Sequence, residues 1–340
     1  MKDTLGVGVI GCGAISANHF KALKQLDGVK LVAVCDCDPD HLAKAMDEQQ
    51  VKGYADYHDL LSDPDVDVVH VCTPHYLHHQ MTVDALKAGK HVLSEKPMAI
   101  HLADAEDMTK TARETGRQLG ICFQNRYNGA TLRIRSLLDS GEVGKVLGGH
   151  GIVIWDRGEK YYASGAWRGK WATEGGGVLI NQAIHTLDLL RDFAGDPVVD
   201  VKCSMSAKRL ENAIEVEDTC DLLMTTSAGA RLLFYASNSS VGNTSVQVYL
   251  KCEKAAIHMV GSRVTVLWND GRVESEDYAS GRQWGKDYWG DGHGHLIADF
   301  YHCLKENKHF PIDGDEALKT TRIVEAAYTA AHAANRGRCE

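Results

Sequence analysis

Short β-rich runs alternate with amphipathic helices through the first 123 residues, and a long succession of strands follows. A glycine-rich turn sits at the first strand–helix junction. These observations predict an α/β domain, a Rossmann-type doubly wound parallel sheet, followed by an α+β domain with a large, mainly antiparallel sheet and helices on one face. At 340 residues the chain has the length of two ordinary domains.

In the first part, residues 5–10, 29–35, 66–72, 91–93 and 119–123 read as strands, and 19–26, 77–87 and 103–114 as helices. Each helix stops near a glycine (Gly28, Gly89, Gly116), as expected for a left-handed C-terminal position. Such alternation implies right-handed crossovers and a parallel sheet covered on both faces. From Val146 the strands are 146–155, 198–208, 216–224, 230–238, 244–251, 255–260 and 263–268, with the turn Asn269-Asp270-Gly271 after the last. A helix over 178–193 interrupts them, and helices over 296–305 and 315–334 close the chain. No repeat or low-complexity linker intervenes, so the expected division is a tight join near Gln124: a nucleotide domain 1–123 and a substrate and oligomerisation domain 124–340.

Hydrophobic residues make up 44% and charged residues 24%, enough to bury a core without metals or disulfides. The net charge of -9 argues against a nucleic-acid partner, which needs a basic surface. No run approaches the roughly 20 apolar residues of a membrane span, and the first residues lack a signal-peptide pattern. Ten cysteines occur without C-x-x-C spacing, and Cys35, Cys72 and Cys122 lie in apolar runs. The expectation is a cytoplasmic protein with no membrane association.

Gly11-Cys12-Gly13-Ala14-Ile15-Ser16 follows a strand and opens a helix. Gly11 permits a tight turn, and Gly13 permits the backbone to approach a pyrophosphate at the positive helix N-terminus. Ser16 stands where a glycine or alanine is usual and is still small enough for close helix–strand packing. The next strand ends in Asp36, 23 residues after Gly13, where a carboxylate accepts the adenosine ribose hydroxyls. Cys37, not an arginine, follows, so NAD is favoured over NADP.

With these residues, Cys72-Thr73-Pro74 with His78, Ala88-Gly89-Lys90-His91-Val92, Glu95-Lys96-Pro97, and Gly175-Gly176-Gly177 followed by His185, the chain resembles the Gfo/Idh/MocA oxidoreductases over nearly its whole length. The resemblance implies NAD as cofactor, held by Gly11, Gly13, Ala14, Ile15, Asp36, Thr73, Pro74, His78, Glu95 and Lys96. It implies that Glu95 borders the nicotinamide ribose, that the Lys96–Pro97 bond is cis, and that Lys96 and His185 handle the proton of a substrate hydroxyl. Beside a hydroxyl and a nicotinamide cation, a lysine has its pKa depressed toward useful base chemistry.

On the predicted helix, Asn181, His185 and Asp188 form a polar stripe on an apolar element. The family pattern has Asp at the position of Asn181. An amide is no base, so the burden shifts to Lys96 and His185, with Asn181 orienting substrate. Relatives that oxidise the 3-hydroxyl of nucleotide amino-sugars resemble this variant. Arg126 and Tyr127 fall where the family contributes a substrate contact. In the stretch Tyr161-Tyr162 to Trp171, Trp167 and Arg168 offer an aromatic face and donors suited to a sugar ring, although the same aromatics suit packing. His293-x-His295 and His75 with His78 and His79 lack further ligands, so no metal is expected.

The expected activity is hydride transfer from a secondary hydroxyl carbon of a sugar, glycoside, nucleotide-sugar or cyclitol to NAD. A redox-neutral cleavage of a glycoside through transient oxidation and elimination is the alternative from a different reaction class, and a non-catalytic NAD-dependent sugar sensor is a third. A homodimer or homotetramer is implied by the resemblance alone.

Overall fold

A computed structural model describes residues 3–207, 209–279 and 291–336. Leu5–Ile10 (β1) is buried at every position, as a strand covered on both faces must be. It lies within a six-stranded sheet made with Val29–Cys35 (β2), Lys52–Tyr54 (β3), Val68–Val71 (β4), His91–Ser94 (β5) and Leu119–Ile121 (β6), in the order β3-β2-β1-β4-β5-β6. All its pairings are parallel. The strand order reverses between β1 and β4, and the carboxyl ends of these strands flank the crevice where such sheets bind ligands. The helices of this part are Ser16–Leu23 (α1), Pro39–Gln49 (α2), Tyr57–Ser62 (α3), His78–Lys87 (α4) and Leu102–Thr115 (α5). Gly116 ends α5 with φ +64°, the left-handed position expected of it.

The sequence reading passes over α2, β3 and α3, and the reason is physical. Within α2 only Ala45 is buried, so no apolar stripe marks it. Its start rests on Asp38, whose side chain accepts the N–H groups of Asp40 and His41, with Pro39 in the first helical turn.

The second unit carries Gly129–Asp139 (α6), Val146–Ile154 (β7), Glu159–Tyr162 (α7), Ile184–Ala194 (α8), Val198–Ser206 (β8), Thr219–Thr226 (β9), Arg231–Ser237 (β10), Gln247–Cys252 (β11), Ala255–Val260 (β12), Arg263–Trp268 (β13) and Val273–Asp277 (β14). The strands form one eight-stranded sheet in the order β14-β13-β12-β11-β7-β10-β9-β8. Only β7 and β10 pair in parallel; the other pairings are antiparallel. Along β10, Leu232, Phe234 and Ala236 are buried while Arg231, Leu233 and Tyr235 face outward, the alternation of a sheet covered on one face. The covering is α8, which packs on β7.

The helix expected over 178–193 begins only at Ile184. Glu217 explains the late start. Its carboxylate accepts the N–H groups of Gly177 (2.9 Å) and Leu179 (3.0 Å), and its carbonyl accepts that of Val178 (3.1 Å). With those groups engaged by Glu217, two residues before β9, residues 175–183 form turns and bends. Asn181 therefore stands before the helix and not on a helical face with His185 and Asp188. The predicted strand ending at Lys208 ends at Ser206, and Lys208 lies outside the described residues.

Two final helices are Gly292–Lys305 (α9) and Gly314–Arg336 (α10). The chain forms two compact units: Met1–Gln124 with Gly292–Thr321, and Asn125–Asp291 with Arg322–Glu340. A division of the sequence at residue 123 leaves 292–321 with the second unit, whereas the structure returns it to the first. There α9 packs on α1, and Ile121 N–H donates to Ile312 O at 3.0 Å. Phe300 and Tyr301 supply large buried rings to this part of the core. Among the described residues no helix is long and apolar enough to cross a membrane.

Candidate active site

In the first unit the sequence-predicted cofactor residues gather at the carboxyl ends of β1, β2, β4 and β5. The chain leaves β1 through Gly11, whose φ is +92° and whose Cβ, were there one, would lie 2.7 Å from Cys72 O. Both facts demand glycine. Gly13 differs: a Cβ there would meet nothing within 4 Å, so the protein itself leaves that space open. Ser16 is buried and its hydroxyl donates to Gly13 O at 2.7 Å, which accommodates serine at the third position of the motif. No side chain caps the N-terminus of α1, and no acidic residue lies in its first turn. An uncapped helix start without an acidic residue suits an anion.

Asp36 accepts Cys12 N–H at 2.7 Å and Asp38 N–H at 2.9 Å, which holds its carboxylate beside the glycine loop. Burial, then the charge of Asp36, pushes the Cys12 thiol up to about 12, so it is not a nucleophile at neutral pH. Thr73 Oγ1 is buried without a hydrogen-bond partner among the described residues. An open cradle above Gly13, an uncapped helix start, an anchored carboxylate and an unsatisfied hydroxyl together fit a dinucleotide.

His78 is placed differently from the cofactor contact expected of it. It is fully buried, with its ring nitrogens 2.7 Å from Pro97 O and 2.8 Å from Thr73 O. The ring ties together the two loops that carry Thr73 and Lys96. Burial pushes its pKa down although both carbonyls pull it up.

Glu95 follows β5 and is buried. Its Oε1 receives His19 Nε2 at 3.1 Å and His293 Nε2 at 3.3 Å, and its Oε2 accepts Lys96 N–H at 3.2 Å. Burial raises its pKa, but the two imidazoles outweigh that and hold it well below the usual carboxylate range. The His293 of the predicted His-x-His pair is thus spent on Glu95. His19, Glu95 and Cys122 bring one donor atom each within 4.8 Å, and the hydrogen bonds of His19 and Glu95 already account for their placement. The Lys96–Pro97 peptide is cis. From Val92 to Ala99, Lys96 is the one half-exposed residue in a buried run.

His185 has the same character in the second unit: from Ile184 to Arg191 every residue of α8 but His185 is buried. Asn181 is buried beside it in sequence, and its amide donates to Glu174 Oε1 and, at 3.3 Å, to Tyr161 Oη. Glu174, fully buried, also accepts Gly169 N–H. This explains the amide at position 181, because an aspartate there would face a second buried carboxylate. Tyr161 Oη further receives Gln182 Nε2 at 2.8 Å and an Arg168 N–H, and the Arg168 guanidinium stacks on Tyr161 and Trp167 at 4.4 and 4.5 Å. Trp171, by contrast, packs against Tyr328 and donates to Glu215 O.

Arg126 reaches Asp188 through two bonds of 2.6 and 2.7 Å and Asp192 at 3.3 Å. Asp188 also receives Arg191. This ion-pair group joins the segment after β6 to α8 and engages Asp188 with two arginines. Tyr127 is half-buried next to it. Sequence reasoning missed Glu174, Glu217 and His19. Glu174 alone had a local signal, an acid immediately before three glycines.

The family description "Oxidoreductase family, NAD-binding Rossmann fold" matches residues 5–123, and "GFO/IDH/MocA C-terminal domain" matches residues 131–258. The chain belongs to the Gfo/Idh/MocA oxidoreductase family. It is an NAD-binding oxidoreductase. It is 25% identical to the uncharacterized oxidoreductase YrbE of Bacillus subtilis over 96% of this chain and 94% of that one. It is 37% identical to inositol 2-dehydrogenase of Salmonella typhimurium over 44% of this chain and 45% of that enzyme. The solved structure of the WlbA dehydrogenase from Bordetella pertussis, in complex with NADH and UDP-GlcNAcA, superposes with a TM-score of 0.84 at 28% identity over 97% of each chain.

Proposed function

We propose that this protein oxidises a secondary ring hydroxyl of a sugar, cyclitol or nucleotide-sugar, with the sugar C3 hydroxyl the first position to examine. The observation that carries the reading is Lys96, a single half-exposed amine in a buried run at the ligand-binding edge of the sheet, next to a carboxylate held ionised. Inositol 2-dehydrogenase and a dehydrogenase crystallised with UDP-GlcNAcA among its relatives support a cyclic polyol as substrate.

NAD, when bound, supplies the hydride acceptor. Gly11, Gly13, Ala14, Ile15 and Asp36 hold its adenosine and pyrophosphate in this reading, and Thr73, Pro74 and Glu95 the nicotinamide half. His78 acts on the cofactor through the loops it clamps. Lys96 accepts the hydroxyl proton through its amine, and His185 is a second proton-handling residue, half-buried where its neighbours from Ile184 to Arg191 are buried. Asn181 is fixed by Glu174 and orients substrate, with Trp167 and Arg168 offering a ring face and donors. Tyr127 is a further substrate contact, whereas Arg126 serves by bracing Asp188.

Reduced-nicotinamide absorbance with NAD across inositols, free sugars, glycosides and nucleotide-sugars tests the reading. A rise with one class names the substrate. Aglycone release without a rise replaces the reading with redox-neutral cleavage, and binding without turnover replaces it with a sensor.

A further inference from the structure

Beneath Glu95 lies a chain of polar side chains that the reaction itself does not use. His19 on α1, His70 on β4 and Tyr301 on α9 are each almost wholly excluded from solvent. His19 Nε2 meets Glu95 Oε1 at 3.1 Å, His19 Nδ1 meets His70 Nδ1 at 2.9 Å, and His70 Nε2 meets Tyr301 Oη at 2.8 Å. The three links join residues 76, 51 and 231 positions apart in sequence, so four elements of the first unit converge on one carboxylate.

Hydrogen-bond accounting fixes the first link and orders the other two. An ionised carboxylate only accepts, so His19 Nε2 carries a proton and donates it. With His19 neutral, its Nδ1 accepts and the His70 proton sits on Nδ1. His70 Nε2 is left as the acceptor of the Tyr301 hydroxyl. Burial pushes the His70 pKa well below its ordinary value, in keeping with a neutral ring, and pushes the Tyr301 hydroxyl up, in keeping with a proton donor. In this arrangement each group in the line is satisfied, and the donors point toward Glu95.

We infer that His19, His70 and Tyr301 are positioning residues that keep Glu95 a permanent anion, and that this buried charge biases the site toward oxidised over reduced nicotinamide. The inference rests on the reading that places Glu95 at the nicotinamide half of the cofactor. Oxidised nicotinamide carries a positive charge and the reduced ring none, so a fixed carboxylate in a water-poor setting favours the oxidised form. The other titratable groups around Glu95 are His293, His78, Cys72, Cys122 and the Lys96 amine. Burial holds both thiols high and protonated, while His78 is pushed down by burial and up by the two carbonyls its ring faces.

The experiment measures dissociation constants for NAD and NADH on the full chain from about pH 6 to about pH 9. In the unaltered protein the ratio of the two constants stays flat. His19→Leu removes a donor, raises the Glu95 pKa, and shifts the ratio toward NADH by roughly tenfold at the acid end, with recovery as pH rises. His19→Gln, which restores an N–H toward Glu95, recovers most of the preference. Tyr301→Phe, which removes one oxygen and keeps the ring, shifts the ratio in the same direction by a smaller factor and serves if His19→Leu does not fold. Equal weakening of both cofactor forms with no pH dependence in these variants reduces the chain to packing and overturns the inference. Glu95→Gln separates the two layers. If it shifts the ratio at all pH values while the His19 and Tyr301 variants do not, the inference alone fails. If it leaves the ratio unchanged, the placement of Glu95 fails, and the inference with it.

Discussion

Residues 11–16 and 175–177 are both glycine-rich, and in sequence they look like the same kind of feature. At Gly177 a Cβ would sit 1.9 Å from Glu217 O, and at Gly176, with φ +151°, it would sit 1.8 Å from Tyr328 Oη. The protein's own atoms forbid side chains there. At Gly13 nothing of the protein does. Glycine required by packing and glycine required by a ligand are thus told apart by what stands where the Cβ would be.

The sharpest way to break this comparison is Gly177→Ala. A backbone carbonyl cannot swing aside, so the expected loss is more than about 4 kcal/mol, read as a collapse of soluble, cooperatively unfolding protein. Gly13→Ala is expected to do the reverse. Without a positive φ or a clash, denaturation gives equal stability or a gain of about 0.5 kcal/mol, whereas calorimetry gives NAD binding weaker by at least roughly tenfold. Normal NAD binding by the Gly13→Ala variant would show that the space above the loop is not the cofactor's.

Glu217, under the triplet, sharpens the contrast through pH. Burial raises its pKa from the ordinary 4.5 to about 7, against the backbone N–H groups that lower it. The folded chain therefore holds this proton to higher pH than the unfolded chain does. The stability it contributes is complete below about pH 4.5 and is lost as pH rises through about 7, up to about 3 kcal/mol. Denaturation midpoints across this window should fall in the parent and stay flatter in Glu217→Gln. A smaller effect is expected from Asn181→Asp, which sets a second carboxylate against Glu174 and costs about 1–3 kcal/mol near neutrality, less in acid where one of the pair keeps a proton. Unchanged melting at both extremes would detach Asn181 from Glu174.

The parts legible in the sequence were those whose physics is local. The 11–16 turn, Asp36 at a strand end and Glu95-Lys96-Pro97 each carry their meaning within a few residues of a strand. The segment 39–62 was not legible because α2 buries almost nothing and so has no apolar period. The helix before His185 was read as starting too early because its apolar run continues back to Val178, while the atom that unwinds it, on Glu217, comes from about 40 residues away. The His19–His70–Tyr301 line is likewise invisible along the chain, since its members meet only when the sheet and α9 are in place.

The most direct measurement pairs turnover with NAD affinity in Lys96→Ala, using whichever polyol the substrate panel identifies. The account predicts turnover lower by at least about a hundredfold with the NAD dissociation constant changed by less than about threefold. Retained turnover, or turnover and NAD affinity lost together, would contradict the assignment of the hydroxyl proton to Lys96.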